Sequence, residues 1–396
     1  MGVIILCISV NGFSQTLGPE SQISLITCGP GGELYSSFGH TAIRVRDPEM
    51  KMDWVYNYGI FDFNTPNFYT KFTLGKLKYM LGVNRYSSFV NYYRQVNRSV
   101  TEQVLNLSLR ERRKLFAILD ENARPENKYY LYDFRFDNCA TKPRDVLEKA
   151  LGNRLVYHVS NQHKTFRNLL DECLEKDVPW GDFEIDLVLG SVIDRQATPR
   201  EYMFLPEYLK QAVASASLKT GEEEDPLVLS VNEVFVAKQT PRPAYIQWTS
   251  PLTVFSLLFL LIAGLTAWEW KTGKWIKGVD RAFFGVLGLL GSLMLFLWLC
   301  TNHSGTAENY NVLWASPAHL LAIFFISKLR FSTLMQAHFA FWGVAAIFCM
   351  AGSALLPQQF HAAFYPLMLT VAVRSVWVVV ALRNRKNVHI NQTVRA

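Results

Sequence analysis

Five long apolar stretches near the C-terminus constrain this chain more than any other feature. They run Pro251–Trp268, Ala282–Cys300, Val312–Ile326, Gln336–Leu356 and Ala362–Leu382. Each approaches the ~20 residues that a helix needs to cross the hydrocarbon core of a bilayer. The third is the shortest and is open to a tilted or partly re-entrant path. The loops between them carry an orientation. Lys271, Lys274, Lys277 and Arg281 follow the first stretch, Lys328 and Arg330 the third, and Arg383, Arg385 and Lys386 the fifth. The loops after the second and fourth, "TNHSGTAENYN" and "PQQFHAA", hold no Lys or Arg. By the positive-inside rule this predicts a bundle of about five transmembrane helices over residues 249–386, with a cytoplasmic tail at 387–396. Residues 20–248 then lie outside the bacterial inner membrane.

The charge balance follows from that arrangement. The net charge is +7 over 396 residues, and from Thr249 onward eleven Lys and Arg face three acidic residues. The first part is near neutral, so the basic balance reflects topology and predicts no nucleic-acid partner. The opening "MGVIILCISVNGFSQ" reads as a signal peptide over residues 1–16, with Cys7 inside its apolar run as a signal residue rather than a lipoprotein cysteine. It lacks a positive n-region, which leaves the true start open, and it is short for a sixth span. Arg374 falls inside the fifth stretch, where a charge is costly: either it has a role or it snorkels or pairs. The outer loops bring His303, Asn309 and Asn311 to the side of the first domain. With Arg374 these are the membrane-side polar candidates.

Two stretches of the outer domain carry chemistry. In "LYSSFGHTAIRV", alternation from Thr41 to Val45 predicts a strand with His40 at its mouth. In "YDFRFDNCATKPRDVLEKALG", alternation at Tyr132, Phe134 and Phe136 predicts a strand, then a turn at Asp137–Asn138 and a helix that stops at Gly152. Cys139 sits just before that helix, where backbone N–H groups and the helix dipole favour a thiolate. Pro143 moves the expected helix start toward itself, with Thr141 or Lys142 as cap. A thiolate nucleophile needs a base, and His40 is the obvious one. The residues alone also allow a structural histidine and a paired cysteine. A Cys28–Cys173 disulfide leaves Cys139 free, whereas Cys28–Cys139 abolishes the nucleophile and leaves a membrane scaffold.

The third member of the constellation is expected from the strand paired with the His40 strand, "DWVYNYGIFDF". Asn57 lies within it, and Asp62 near its end is the alternative. Pro30-Gly31-Gly32 makes a turn whose amides, that of Gly31 among them, are candidates for an oxyanion hole together with the Asn138–Cys139 turn. Glu33 and Tyr35, close to His40, are candidates for orienting a substrate headgroup or amine. Residues 64–94 interleave aromatic with basic side chains, as suits a lipid headgroup region. "SLRERRKLFAILDENA" predicts an amphipathic helix opened by Ser108. Residues 216–248 read as a mobile acidic loop ("KTGEEEDP"), a strand pair ("LVLSVNEVFVAK") and a proline-stiffened linker. His158 and His163 lack further ligands at suitable spacing, so no metal and no cofactor are expected.

"CGPGGELYSSFGHTAIRV", "VYNYGIFDFNTPNFYTKF", "YDFRFDNCATKPRD" and "PWGDFEIDLVLGSVIDRQATPREYMFLPEYL" resemble the signature blocks of the Lnb N-terminal periplasmic domain family. The resemblance covers about residues 22–215, within a periplasmic domain drawn over 20–215, and the multi-span tail fits full-length members. Pro143, where a helix former is expected, and Glu184, where glycine is expected, depart from the family pattern. The order of His on a strand, then Cys before a helix, also resembles the permuted papain-like arrangement of the NlpC/P60 superfamily and its lecithin:retinol acyltransferase-like branch. The resemblance implies an α+β permuted papain-like domain with Cys139 as nucleophile and His40 as base. It further implies a lipoprotein N-acyltransferase. The acyl donor would be a phospholipid, and the acceptor the α-amine of a diacylated lipoprotein. The alternative enzyme is a membrane-anchored cysteine amidase or peptidase acting on peptidoglycan, with a thioesterase-like lipase between the two.

Overall fold

The computed structural model describes residues 16–238 and 248–395, so the signal segment and most of the proline linker lie outside the described residues. The N-terminal part is built on a seven-stranded antiparallel sheet in the order β10-β5-β1-β2-β3-β4-β6. Its strands are β1 (Gln22–Cys28), β2 (His40–Asp47), β3 (Met52–Ile60), β4 (Lys78–Arg85), β5 (Val100–Leu105), β6 (Tyr129–Leu131) and β10 (Val228–Phe235). A small second sheet joins β7 (Leu155–Val156), β8 (Ser217–Thr220) and β9 (Glu223–Pro226). The helices of this part are α1 (Phe68–Thr73), α2 (Tyr86–Gln95), α3 (Leu109–Ala123), α4 (Thr141–Leu151), α5 (Phe166–Leu174), α6 (Pro179–Val188), α7 (Pro199–Tyr202) and α8 (Pro206–Ser215).

Strand alternation gives the sheet two buried faces. Leu25, Ile43 and Tyr56 pack with Leu115 and Leu119 of α3, Leu147 of α4 and Leu209 of α8. Ile26, Ala42 and Val55 pack on the other face with Phe89, Val90 and Tyr93 of α2. The expected capping box opens α3: the Ser108 side chain accepts from the Glu111 N–H, and the Glu111 carboxylate accepts from the Ser108 N–H at 3.0 Å. Asp186 and Asp194 both pair with buried Arg167 of α5, whose Nε meets Asp194 at 2.7 Å.

Two expected elements take another form. "KTGEEEDP" is not a mobile loop but the hairpin of β8 and β9, turned at Gly221. "LVLSVNEVFVAK" is one strand, β10, paired with β5 at the edge of the large sheet, not a strand pair. Both segments therefore belong to the α+β fold. Local alternation identified a strand in the second segment, but its partner, β5, lies far away in sequence.

The helical region follows: α9 (Pro251–Thr272), α10 (Lys277–Cys300), α11 (His319–Phe325), α12 (Ser332–Ala351) and α13 (Phe364–Arg395). Among the described residues, four of these helices are long and apolar enough to cross a membrane. The third expected stretch is not one of them. It forms a 3-10 turn at Tyr310–Leu313, an irregular run through Pro317 and the seven-residue α11. It still passes from the Asn309–Asn311 end to Ser327, whose hydroxyl meets Arg281 at the start of α10 at 3.0 Å. Such irregular backbone is tolerated in a membrane protein only when packed in protein, and Trp314, Ala315 and Ser316 are buried. Gly291 of α10 makes this possible, since a Cβ there would lie 1.8 Å from the Ala315 carbonyl oxygen.

Arg374 is completely buried, at the end of the bundle away from the sheet domain. Its guanidinium binds both oxygens of Asp280 at 2.8 Å, the Thr266 hydroxyl at 2.8 Å and the carboxylate of Glu269. Trp275 and the Ile276 N–H complete the acceptors' shells. It is thus paired, and it joins α9, α10 and α13. Arg374→Leu strands two buried carboxylates and should cost about 3–5 kcal/mol. This is readable as a large fall in the thermal midpoint of the full chain in detergent; an unchanged midpoint would contradict the pairing.

The two parts share a core. Phe183 and Leu187 of α6 pack in one cluster with Phe284, Trp314 and Phe364 of the helical region. Asn309 and Asn311, fully buried, donate to the Asp186 and Leu187 carbonyls at the C-terminal end of α6, with Asn309 Nδ2 at 2.8 Å from the Leu187 oxygen. They cap the last carbonyls of a helix that crosses between the two parts.

Candidate active site

His40 is the first residue of β2 and pairs with Cys28 at the end of β1. Asn57 lies on β3, the neighbouring strand, and shares a sheet face with His40 because Asn57 and Val55 alternate with Tyr56. Their side chains meet, with His40 Nε2 2.6 Å from Asn57 Oδ1. Asn57 can only accept through that oxygen, so Nε2 carries the proton. The other ring nitrogen is left for Cys139, which is hydrogen-bonded to the imidazole. Cys139, His40 and Asn57 thus form a continuous chain. Asp62, the alternative third residue, instead caps the 62–65 turn by accepting from the Asn64 N–H at 2.9 Å.

Cys139 reaches this position through a turn. Residues 132–136 are not a strand. Asp133 Oδ1 accepts from the N–H groups of Arg135 at 2.9 Å and Phe136 at 3.2 Å, which folds the segment into a tight loop closed by the Asp133–Asp137 bridge. Alternating aromatics imitated a strand, while the aspartate turn decided the local path. Arg135 then anchors the loop to the helical region by donating to the Ser304 carbonyl at 2.9 Å. Helix α4 starts at Thr141, so Ala140 holds the cap position and neither Thr141 nor Lys142 is the cap; Pro143 falls in the first turn, where a missing N–H costs nothing.

Asn138 is a scaffold residue. Its Oδ1 accepts from Ala140 N at 2.7 Å and Thr141 N at 2.9 Å, and its Nδ2 donates to the Phe204 carbonyl at 2.9 Å. All its polar atoms are engaged, so it fixes the cysteine turn rather than binding substrate. Gly59, at a bulge where β3 bends away from β4, has φ +91°. A Cβ there would lie 3.4 Å from Cys139 Cβ, an ordinary contact, so the demand is on the backbone. Gly59→Ala should cost about 1–2 kcal/mol of stability and slow alkylation of Cys139; an unperturbed alkylation rate would detach the bulge from the thiol's placement.

Burial opposes charge on the Cys139 thiol and pushes it up. The His40 imidazolium and the Thr41 and Cys139 backbone N–H groups outweigh that, and the thiol ends below its ordinary value. Burial likewise opposes charge on His40, and the thiolate and Asn57 hold its imidazole above its ordinary value. The pair favours thiolate and imidazolium. Burial pushes the Cys28 thiol up to about 12, and Arg98 and a hydrogen bond from Tyr93 offset it only in part. Cys28, Cys139 and Cys173 all carry free thiols.

The thiol opens into a cavity of about 480 Å³. Its walls are largely aromatic and aliphatic, with Phe61, Tyr79, Tyr132 and Phe134 on one side and Ile185 and Val188 of α6 on another. Helix α6 therefore faces the cavity on one side and the bundle core on the other. A smaller cavity of about 200 Å³ shares Tyr79, Tyr132, Phe134 and Leu189 and extends to Asn302–Thr306. Phe63, Tyr69 and Phe72 are exposed beside it, on and around α1.

The other expected site residues have different places. Tyr35 is exposed and lines the large cavity. The Glu33 side chain is exposed, and its carbonyl accepts from the hydroxyls of Ser36 and Ser37. The Gly31 N–H is already bound to the Ser36 carbonyl at 3.0 Å, so it is not a free oxyanion donor. His303 Nε2 donates to the Phe72 and Thr73 carbonyls at 3.1 Å, docking α1 on the helical region. His303, Asn309, Asn311 and Arg374 are joints of the molecule and not residues of the cysteine cavity. Sequence reasoning missed Tyr93, which stacks on His40 with ring centroids 6.4 Å apart, and Arg98 beyond it. No local motif marks either of them.

Fold and site together describe an α+β domain that presents a cysteine–histidine–asparagine cluster and shares a core with a bundle of membrane-length helices. The chain belongs to the Lnb family: residues 14–172 match the Lnb N-terminal periplasmic domain and residues 244–386 the Lnb transmembrane domain. It is thus an inner-membrane protein with a periplasmic N-terminal domain. No curated protein and no solved structure matches it.

Proposed function

We propose that this protein is a lipoprotein N-acyltransferase working at the periplasmic face of the inner membrane. One observation carries the reading: a cysteine–histidine–asparagine cluster opens into an apolar cavity walled by α6, whose opposite face is packed among the membrane helices. A thiolate at an apolar cavity beside a bilayer suits an acyl chain as the group transferred.

The Cys139 thiolate attacks an ester carbonyl of a phospholipid. The carbon–oxygen bond breaks, a thioester forms, and the His40 imidazolium gives its proton to the departing lysophospholipid oxygen. Neutral His40 then takes a proton from the α-amine of a diacylglyceryl-cysteine as that amine attacks the thioester. The carbon–sulfur bond breaks, an amide forms, and the thiolate–imidazolium pair is restored. Asn57 keeps the imidazole oriented through both steps. The exposed aromatics at 63–72, with Lys71 and Lys76 nearby, suit an interfacial lip that sits among lipid headgroups. In this reading the helical region crosses the membrane five times, the third time through the broken 310–327 segment, and leaves the C-terminus in the cytoplasm. The α+β domain is permuted papain-like.

The test is intact mass of the purified full chain after incubation with phosphatidylethanolamine. A fatty-acyl gain that hydroxylamine removes, and that a diacylated lipopeptide discharges, supports the proposal. A gain that water discharges as fast as the lipopeptide makes the protein a lipase, and no gain turns the assignment toward a peptidoglycan amidase. Deleting residues 249–396 is a poor substitute, because it uncovers Phe183 and Leu187 of α6.

A further inference from the structure

Arg98 lines the same cavity as Cys139 and takes no part in the chemistry described above. It is 8% exposed, and its Nη2 is buried without a hydrogen-bond partner among the described residues. Its Nε donates to the Gly29 carbonyl at 2.8 Å, and the guanidinium lies 5.0 Å from the centroid of the Tyr93 ring. Tyr93 in turn stacks on His40. Among the described residues, Arg98 faces Cys28, Tyr93 and His40 and forms no ion pair with a carboxylate. A buried guanidinium without a counter-charge is costly and is ordinarily matched by an anion. Two other buried arginines of this domain are matched in that way, Arg144 by Asp145 and Arg167 by Asp186 and Asp194, while buried Arg135 instead donates to the Val192 and Ser304 carbonyls.

The cavity is also polarised. Arg98, Tyr92 and Asn57 line it on the side of α2, whereas Leu170, Ile185, Val188 and Leu189 line it on the side of α6. Ring contacts lead from Arg98 through Tyr93 to His40, and the thiol lies beyond. A lipid ester with an anionic group on one side of its carbonyl and an acyl chain on the other fits that order.

We infer that Arg98 binds the phosphodiester of the acyl donor, and so acts in the first half-reaction alone. The inference rests on the acyltransfer reading above. The diacylglyceryl-cysteine acceptor has no phosphate, so Arg98 separates donor from acceptor within one cavity. It is a specificity residue, bidentate in capability toward phosphate oxygens as lysine is not.

The experiment compares wild type, Arg98→Gln and Arg98→Lys as full-length protein in detergent micelles. Acyl-enzyme formation is followed by intact mass with three donors: phosphatidylethanolamine, uncharged diacylglycerol, and p-nitrophenyl butyrate. Arg98→Gln is expected to slow acylation from phosphatidylethanolamine roughly 10- to 100-fold while leaving the two phosphate-free donors within about threefold. Arg98→Lys recovers part of the loss. Discharge of preformed acyl-enzyme by a diacylated lipopeptide keeps its wild-type rate in both variants. Equal losses with all three donors, or a slowed discharge, would overturn the inference and make Arg98 a support for the thiolate or the fold. No loss with any donor would overturn it as well. If neither variant folds, wild type carries the test, since equal acylation from phosphatidylethanolamine and diacylglycerol refutes a phosphate contact. Failure of wild type to form an acyl-enzyme with any donor would instead remove the acyltransfer reading itself.

Discussion

Cys139→Ala is expected to form no acyl adduct and to lose N-acylation of a diacylated lipopeptide by about four orders of magnitude or more. The effect is this large because no neighbouring group replaces the nucleophile. The other two periplasmic-side thiols are poor substitutes: burial pushes Cys28 up to about 12 and Cys173 to about 11. The turn that holds Cys139 is set by Asn138 and Gly59, neither of which depends on the sulfur, so the alanine variant should keep its thermal midpoint. Retained midpoint with lost adduct identifies chemistry as the cause. Cys139→Ser sharpens the result, because any residual adduct would be an oxygen ester and would resist neutral hydroxylamine. A hydroxylamine-labile adduct on Cys139→Ala would place the nucleophile elsewhere.

His40→Ala is expected to cost about three to four orders of magnitude in acyl transfer, and its pH signature is as informative as its size. In wild type the imidazolium beside the thiol holds Cys139 below its ordinary value. Alkylation by iodoacetamide should therefore rise with pH through an inflection below about 8.5, the usual free-thiol value. Without His40 only burial and two backbone N–H groups remain, and burial is the largest single influence on this thiol. The inflection should then move above about 8.5, in the direction that buried Cys28 already shows. Partner replacement thus reverses the sign of the displacement. An alkylation profile that His40→Ala leaves in place would mean that the two side chains are not electrostatically linked.

Much of the catalytic core is legible in the chain because short-range rules cover it. Gly39-His40 opening an alternating run, and a turn at Cys139 before a helix, are local patterns, and Asn57 follows once β2 and β3 are adjacent strands. The errors have one origin. Tyr132, Phe134 and Phe136 alternate as a strand does, yet Asp133 bonds its own backbone and Arg135 is drawn to Ser304, 169 residues away. "KTGEEEDP" is acidic enough to read as a mobile loop, yet it forms a hairpin because β8 pairs with β7. Asn309 and Asn311 looked available to a ligand, and a helix end from the other domain consumes them.

The sequence by itself determined the quantities that accumulate along a chain. These are the four of the five expected spans that form helices long and apolar enough for a bilayer, the basic loops that alternate with loops free of Lys and Arg, the strand that opens at His40 and the helix that follows Cys139. Each depends on residues within a few turns of one another, where periodicity and capping act directly. Only the tertiary structure decided what those elements enclose. It broke the third stretch around Pro317 against Gly291, turned α6 into a wall shared by cavity and bundle, and set Arg98 over the Tyr93 ring that stacks on His40. The reason is physical. Burying apolar surface is non-directional, so composition says that these residues will be covered but not by which partners. The partners follow from close packing and from the requirement that each buried polar group find a complement.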